Sequence, residues 1–150
     1  MSETEYGYGN AVEAHDGEFA GWRFWNHDPY ENRSGPFFTR REDNGDFVCA
    51  FRAAEHHMNG AGFMHGGCLL TFADFALFAI ATDALAGDNA VTMNLSGDFL
   101  GAVAAGALVE ARGEVTRGGG KTIFVRGLVT ADGEPALSFT GIIRRLTRRG

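Results

Sequence analysis

The spacing of apolar residues changes twice along this chain, and the changes mark out its elements. Phe37 to Glu42 and Phe47 to Ala53 are apolar-rich runs on either side of Asp43-Asn44-Gly45-Asp46. Asn-Gly between two such runs predicts a β-hairpin. From Cys68 to Ala86 the chain is dominated by Ala, Leu and Phe, with no Pro or internal Gly. That composition predicts one helix, stopped at Gly87. Apolar residues fall on every side of it, so it is expected to be buried all round. Asp88-Asn89 then opens a strand-like run from Ala90 to Leu100. Over residues 106–117 the polarity alternates, with Leu108, Glu110, Arg112 and Glu114 on one parity and Val109, Ala111 and Val115 on the other. Arg117-Gly118-Gly119-Gly120-Lys121 reads as a turn, Thr122 to Thr130 as a strand, Asp132-Gly133 as a hairpin turn and Ala136 to Leu146 as the last strand. A hairpin, one long buried helix and several antiparallel strands make an α+β order: a sheet wrapped around a single helix.

Residues 1–36 do not share this regularity. Phe19, Trp22, Phe24 and Trp25 lie in a stretch otherwise rich in Gly, Asn, Asp and Glu. The spacing of Phe19, Trp22 and Trp25 by threes predicts one apolar face of a short helix. The segment is read as an arm on the domain formed by residues 37–150, either packed on it or serving as a lid over an apolar ligand pocket.

Composition narrows the function classes. The length, 150 residues, suits one domain with a real core. The net charge of −6 argues against a nucleic-acid partner, because phosphate binding wants a basic face. Positive charge is local: Arg144, Arg145, Arg148 and Arg149 close the chain, as a solvated strand end or a contact for a phosphorylated ligand. The first residues are acidic and lack the apolar core of a secretory signal. Asp74 and Asp83 within the predicted helix, and strand-like sequence after it, argue against a membrane span. Cys49 and Cys68 make no disulfide framework, so the cytoplasm is the expected compartment.

The candidate chemistry centres on residues 59–74. A lone carboxylate in a buried helix is costly unless it has partners or a use, and Asp74 is such a group. If the helix begins near Gly66 or Gly67, its first N–H groups lack intrahelical acceptors and favour negative charge. Glycine there lets a ligand approach the backbone, which suits an oxyanion site. Asp74 lies about two turns on, roughly 12 Å along the axis. That is too far to serve the start of its own helix. Two such helices paired antiparallel would set Asp74 of one opposite Gly66 of the other, in a site built by two chains. A structural alternative is that Asp74 is a buried acid bonded to Thr71, one turn before it. Asn59 could be only a turn residue, His65 a satisfied loop histidine, Thr92 a β-branched strand former, and Asp83 a solvated or capping acid.

Other chemistries fit less well. His56, His57 and His65 invite a metal reading. Adjacent histidines on a strand would point to opposite faces, however, and no second pair at ligand spacing accompanies them. No Gly-x-Ser-x-Gly elbow occurs. Gly118-Gly119-Gly120 lacks the strand–loop–helix context of a phosphate loop.

Asn59-x5-His65-Gly66-Gly67-x6-Asp74 resembles the signature of the hotdog-fold acyl-CoA thioesterases of the PaaI-like (phenylacetate-pathway) family. The likeness runs on through Thr92, Asp98-Phe99-Leu100, Gly106, Gly120-Lys121 and Thr140-Gly141, about residues 45–146 in all. It departs where Gly101-Ala102-Val103 stands in place of a Pro that many relatives carry. The resemblance implies hydrolysis of an aryl or medium-chain acyl-CoA, with Asp74 as nucleophile or general base and the Gly66 amide polarising the thioester carbonyl. Asn59 would position water or the carbonyl, Thr92 would orient water beside the acid, and His65 would support the loop or hydrogen-bond near the thioester. Asn59, His65 and Gly66 would come from one subunit, Asp74 and Thr92 from its partner, in a homodimer that pairs into a dimer of dimers.

Gly67, Phe72, Phe75 and Phe78 are candidates to line the acyl pocket, and Arg117 and Lys121 to reach a coenzyme A phosphate. No metal or separate cofactor is expected, coenzyme A being part of the substrate. Two rival readings share the fold: a non-catalytic acyl-CoA-binding regulator and an enoyl-thioester hydratase.

Overall fold

The structure is a computed structural model that describes residues 10–146. Its strands are β1 (Val12–Glu13), β2 (Arg23–Phe24), β3 (Phe38–Arg41), β4 (Phe47–Arg52), β5 (Ala90–Phe99), β6 (Leu108–Arg117), β7 (Thr122–Ala131) and β8 (Glu134–Arg145). Its helices are α1 (Pro29–Ser34), α2 (Gly66–Ile80) and α3 (Thr82–Leu85), with a 3-10 turn at Glu55–His57. The strands form one antiparallel sheet in the order β1-β2-β3-β4-β6-β7-β8-β5. The sheet curls around α2, which touches β4, β5, β6, β7 and β8.

The hairpin falls where Asn-Gly predicted it. Gly45 takes φ +91°, and the Asn44 side chain accepts from the Asp46 N–H at 2.9 Å. The helix starts at Gly66, where His65 caps it, within the start expected near Gly66 or Gly67, but it stops at Ile80, short of the predicted end. Thr82 then donates its hydroxyl to Ala79 O at 2.7 Å, and the short α3 closes on Ala86 and Gly87, at φ +49° and +89°. Asp83, in the first turn of α3, pairs with Arg41 at 2.7 Å.

Nor is α2 buried all round. Phe72, Ala73, Phe75, Ala76, Leu77 and Ala79 face the sheet and are buried. Gly67, Leu70, Thr71, Asp74 and Phe78 form a partly open strip at helical spacing. The buried face seats closely. A Cβ added at Gly141 of β8 would lie 2.4 Å from Leu77 Cδ1, so only glycine lets the helix approach there.

Around residues 10–36 the expected helix at 19–25 is absent. Arg23–Phe24 is strand, and Phe19 stacks on Phe38 with ring centroids 4.8 Å apart. The helix lies later, at α1, where the Asp28 side chain accepts the Glu31 N–H at 3.0 Å and Pro29 opens the first turn. In this way residues 10–36 extend the sheet with two strands and lay α1 against α2.

Along β5 the pairing register with β8 shifts between Thr92 and Asn94. This bulge changes the parity of the strand. Ala90 and Thr92 point to the helix before it, Leu95 and Phe99 after it. A strictly alternating strand could not present both Thr92 and Phe99 to α2.

Candidate active site

The start of α2 is shaped by its own loop. Asn59 Oδ1 accepts the N–H groups of Ala61 at 2.9 Å and Phe63 at 3.2 Å, so this side chain closes the turn. His65 is the N-cap, and its Nδ1 accepts the Gly67 N–H at 2.8 Å. That bond fixes Nδ1 as the unprotonated nitrogen and leaves Nε2 to carry the ring proton. The Gly66 N–H finds no acceptor among the described residues. A Cβ at Gly66 would lie 3.2 Å from the Phe99 ring, so glycine is needed here for packing as well as for access. What remains is one unspent donor at a helix N-terminus, beside an exposed imidazole.

Asp74 sits at mid-helix, half-buried on the open strip. Its partner is Thr92, whose Oγ1 donates to Oδ1 at 2.6 Å. Thr71 is not its partner: that hydroxyl donates to Gly67 O at 2.8 Å within the helix. Burial raises the Asp74 carboxyl above its ordinary value, the Thr92 hydrogen bond lowers it, and the charge of Asp28 raises it further. The result is a partly buried acid held by one donor, an arrangement able to take up a proton.

Asp74 borders two cavities. One, of about 200 Å³, lies between α1, α2 and β5 and is lined by Trp25, Asp28, Glu31, Phe78, Leu85, Ala90 and Thr92 as well as Asp74. The other, of about 370 Å³, adds Tyr30, Leu70, Thr71 and Leu95. A third, of about 430 Å³, shares Tyr30 and Thr71 and reaches His65 and Gly67. Together they follow the open strip of α2 from its first turn to Phe78.

The pattern of the sequence did not reveal Asp28 and Glu31. Asp28-Pro29-x-Glu31 is a helix-start signature, so it points to α1, but nothing local places that helix against Asp74. Glu31 is largely buried, and its carboxyl is pushed up to about 9. Burial is the main cause. A hydrogen bond with Asp28 and the charges of Asp28 and Asp74 add to it.

The other candidates separate into groups. Phe78 lines the first cavity. Phe72 and Phe75 do not: both are core residues, with ring centroids 5.3 Å and 5.7 Å from Phe37, and Phe72 lies 4.7 Å from Phe51. Helical spacing alone could not separate these two from Phe78. Gly67 borders the cavity at the helix start. Arg117 and Lys121 flank the β6–β7 turn and do not border the Asp74 cavity. Arg145 is spent on backbone: it donates to the carbonyls of Ala84, Gly118 and Gly120. Arg148 and Arg149 lie outside the described residues.

His56 and His57 are not on a strand as expected. They share the 3-10 turn with ring centroids 3.9 Å apart. Both ring Nε2 atoms meet Gly35 O, at 3.1 Å and 3.4 Å, and His57 Nδ1 accepts the Ala54 N–H at 2.9 Å. The pair holds the end of α1. Among the described residues no group of three or more His, Cys, Asp and Glu is placed to hold a metal ion. Burial pushes the thiols of Cys49 and Cys68 up to about 12 and about 11, so neither is poised as a thiolate.

A sheet curled around one long helix is the architecture of the hotdog fold. The family model of the thioesterase superfamily matches residues 61–137, just over half of the chain, and the chain belongs to that superfamily. The protein named "Putative esterase PA0474" of Pseudomonas aeruginosa is 36% identical over 91 residues, covering 60% of this chain and 68% of its own. A single-site mutant of the phenylacetic acid degradation protein PaaI from Thermus thermophilus superposes with a TM-score of 0.67 at 29% identity, over 79% of this chain and 100% of its own. The BH2602 protein from Bacillus halodurans, solved with CoA, gives a TM-score of 0.74 at 24% identity over 83% of each chain, a likeness of fold. The chain is thus a hotdog-fold enzyme of the thioesterase superfamily, a thioester hydrolase. Among the described residues no helix is long and apolar enough to cross a membrane.

Proposed function

We propose that the chain hydrolyses the thioester of an aryl or medium-chain acyl-CoA in the cytoplasm, releasing the free acid and coenzyme A. The observation that carries this reading is the Asp74–Thr92 pair, at 2.6 Å, on an open helix strip whose first turn keeps an unspent amide. The Asp74 carboxylate takes a proton from water as the water oxygen bonds to the thioester carbon. The carbonyl oxygen becomes an oxyanion held by the Gly66 N–H, and Asn59 Nδ2 and His65 complete the polar rim. Collapse breaks the C–S bond, and the proton passes from Asp74 to the departing sulfur. No cofactor enters this sequence. Phe78 borders the acyl group, and Gly67 lies at the entry. Arg117 and Lys121 meet the coenzyme A phosphates in the assembled enzyme.

Asp74 lies about 12 Å along the axis from Gly66 of its own helix. We therefore assign the site to two chains, Gly66 from one and Asp74 with Thr92 from its partner. The open edge supports this. In the described sheet β5 has a strand on one side only, and Met93 and Phe99 are 56% and 54% exposed beside exposed Val91 and Leu100. An apolar edge of this kind calls for cover, and a second copy provides it. Two such dimers pair into a tetramer.

The test is thiol release from a panel of acyl-CoA thioesters. Asp74→Asn is expected to lose on the order of 10²- to 10⁴-fold in turnover while staying folded. Wild-type-like turnover by that variant removes Asp74 from the mechanism. Tight acyl-CoA binding by the native chain without thiol release would instead make it a regulator.

A further inference from the structure

The resemblance to the thioesterases covers about residues 45–146, yet one wall of the Asp74 cavity comes from α1, which lies outside it. Asp28 and Glu31 line both cavities that Asp74 borders. Three carboxyl groups thus border the same two cavities, and among the described residues no Lys or Arg lines either. Like charges that border one partly buried space repel, which favours a proton on one of them.

The geometry identifies its holder. Of its two carboxyl oxygens, Glu31 Oε2 is buried and meets no donor among the described residues, so an ionised Glu31 would leave a charged oxygen unsatisfied. Asp74 has the Thr92 hydroxyl, which favours its ionised form. Glu31 is also held firmly. Its N–H is capped by Asp28 at 3.0 Å and its C=O accepts the Gly35 N–H at 2.7 Å, with Gly35 in turn held by His56 and His57.

We propose that Glu31 is a positioning residue for the Asp74 base: a neutral carboxylic acid on the shared wall that leaves Asp74 as the charged member of the pair. The inference rests on the reading of Asp74 as the base. Glu31 keeps its proton through the reaction and transfers nothing. Its ionisation sets a second negative charge beside a centre where an oxyanion develops, which opposes turnover. The titratable groups facing it are Asp28 at the start of its own helix, Asp74 from α2 and the Cys49 thiol from β4, whose own rise is due in part to Glu31. The rise of Glu31 to about 9 agrees with the geometry.

The experiment is the pH dependence of kcat/KM for the native chain, Glu31→Gln and Asp74→Asn, read by thiol release with spontaneous hydrolysis subtracted. The native profile is expected to fall on the alkaline side by on the order of tenfold per pH unit, from about 9. Glu31→Gln, neutral at every pH, is expected to lose that limb, its profile staying level across the range where the native rate falls. An unchanged alkaline limb in Glu31→Gln overturns the inference, since the fall then belongs to the substrate or another group. Full activity in Asp74→Asn overturns the underlying reading instead. If Glu31→Gln does not fold, NMR of isotope-labelled Glu carboxyls in the native chain decides. One Glu titrating near 9 supports the assignment, and all of them titrating in the ordinary range refutes it.

Discussion

The two faces of α2 are made of similar residues and have opposite tasks. On the sheet side Phe72, Phe75 and Leu77 are sealed against Phe37, Phe51 and Gly141. On the α1 side Gly67, Thr71, Asp74 and Phe78 border cavities. The first face is close-packed and cannot change by a methyl group without cost. The second retains space, a polar pair and an acid whose burial is incomplete. Stability and chemistry are thus separated by about half a turn of one helix, and substitutions on the two faces should fail in different ways.

The sharpest test of that division is Asp74→Asn. It is expected to remove most turnover, on the order of 10²- to 10⁴-fold, while leaving the melting temperature equal or higher, because the amide avoids the cost of a buried charge. Steady-state kinetics and thermal unfolding on one preparation check both halves. Phe72→Ala should do the reverse. It opens a cavity among Phe37, Phe51 and Phe75 and is expected to cost about 3–5 kcal/mol in denaturant unfolding. Turnover per folded molecule should change little, because Phe72 lines no cavity beside Asp74.

Thr92→Ala removes the donor that lowers the Asp74 carboxyl. The acid limb of the rate profile should move to higher pH, with turnover at neutral pH down on the order of tenfold. An acid limb that stays in place would mean that Thr92 acts on water alone.

The smallest effect concerns stability. Glu31 is protonated in the folded chain up to about 9 but only to its ordinary 4.5 when unfolded. Between those values the native state binds one more proton than the unfolded state, so stability falls as pH rises and levels off above the upper value. Glu31→Gln should flatten that slope and stabilise the chain by on the order of 1–3 kcal/mol near pH 8. Urea midpoints across the window report it, and a slope unchanged in the variant would assign the effect elsewhere.

Much of this contrast was legible along the chain. The Asn-Gly hairpin, the long apolar helix and the alternating strands are local signals, and each fell within a few residues of its predicted place. Asp74 was conspicuous because an acid in an apolar helix requires a reason. The aromatic segment misled because Phe19, Trp22 and Trp25 follow a three-residue spacing, yet Phe19 and Trp22 pack on each other and on Phe38 and Arg40, while Trp25 packs on Phe75. The bulge in β5 left no mark, since Thr92-Met93-Asn94 carries neither Gly nor Pro.

From Phe37 onward, sequence by itself determined which segments become helix and strand, where the chain turns, and that one acid and one glycine-rich helix start stand about two turns apart. These follow from forces between near neighbours: backbone propensity, period and capping. Tertiary structure alone decided which phenylalanines border a cavity and that Thr92, rather than Thr71, holds Asp74. It also decided that a carboxyl from α1 faces the same space. Those outcomes depend on which surfaces meet when the sheet closes around α2, and apolar periodicity says that a residue must be covered without saying by what.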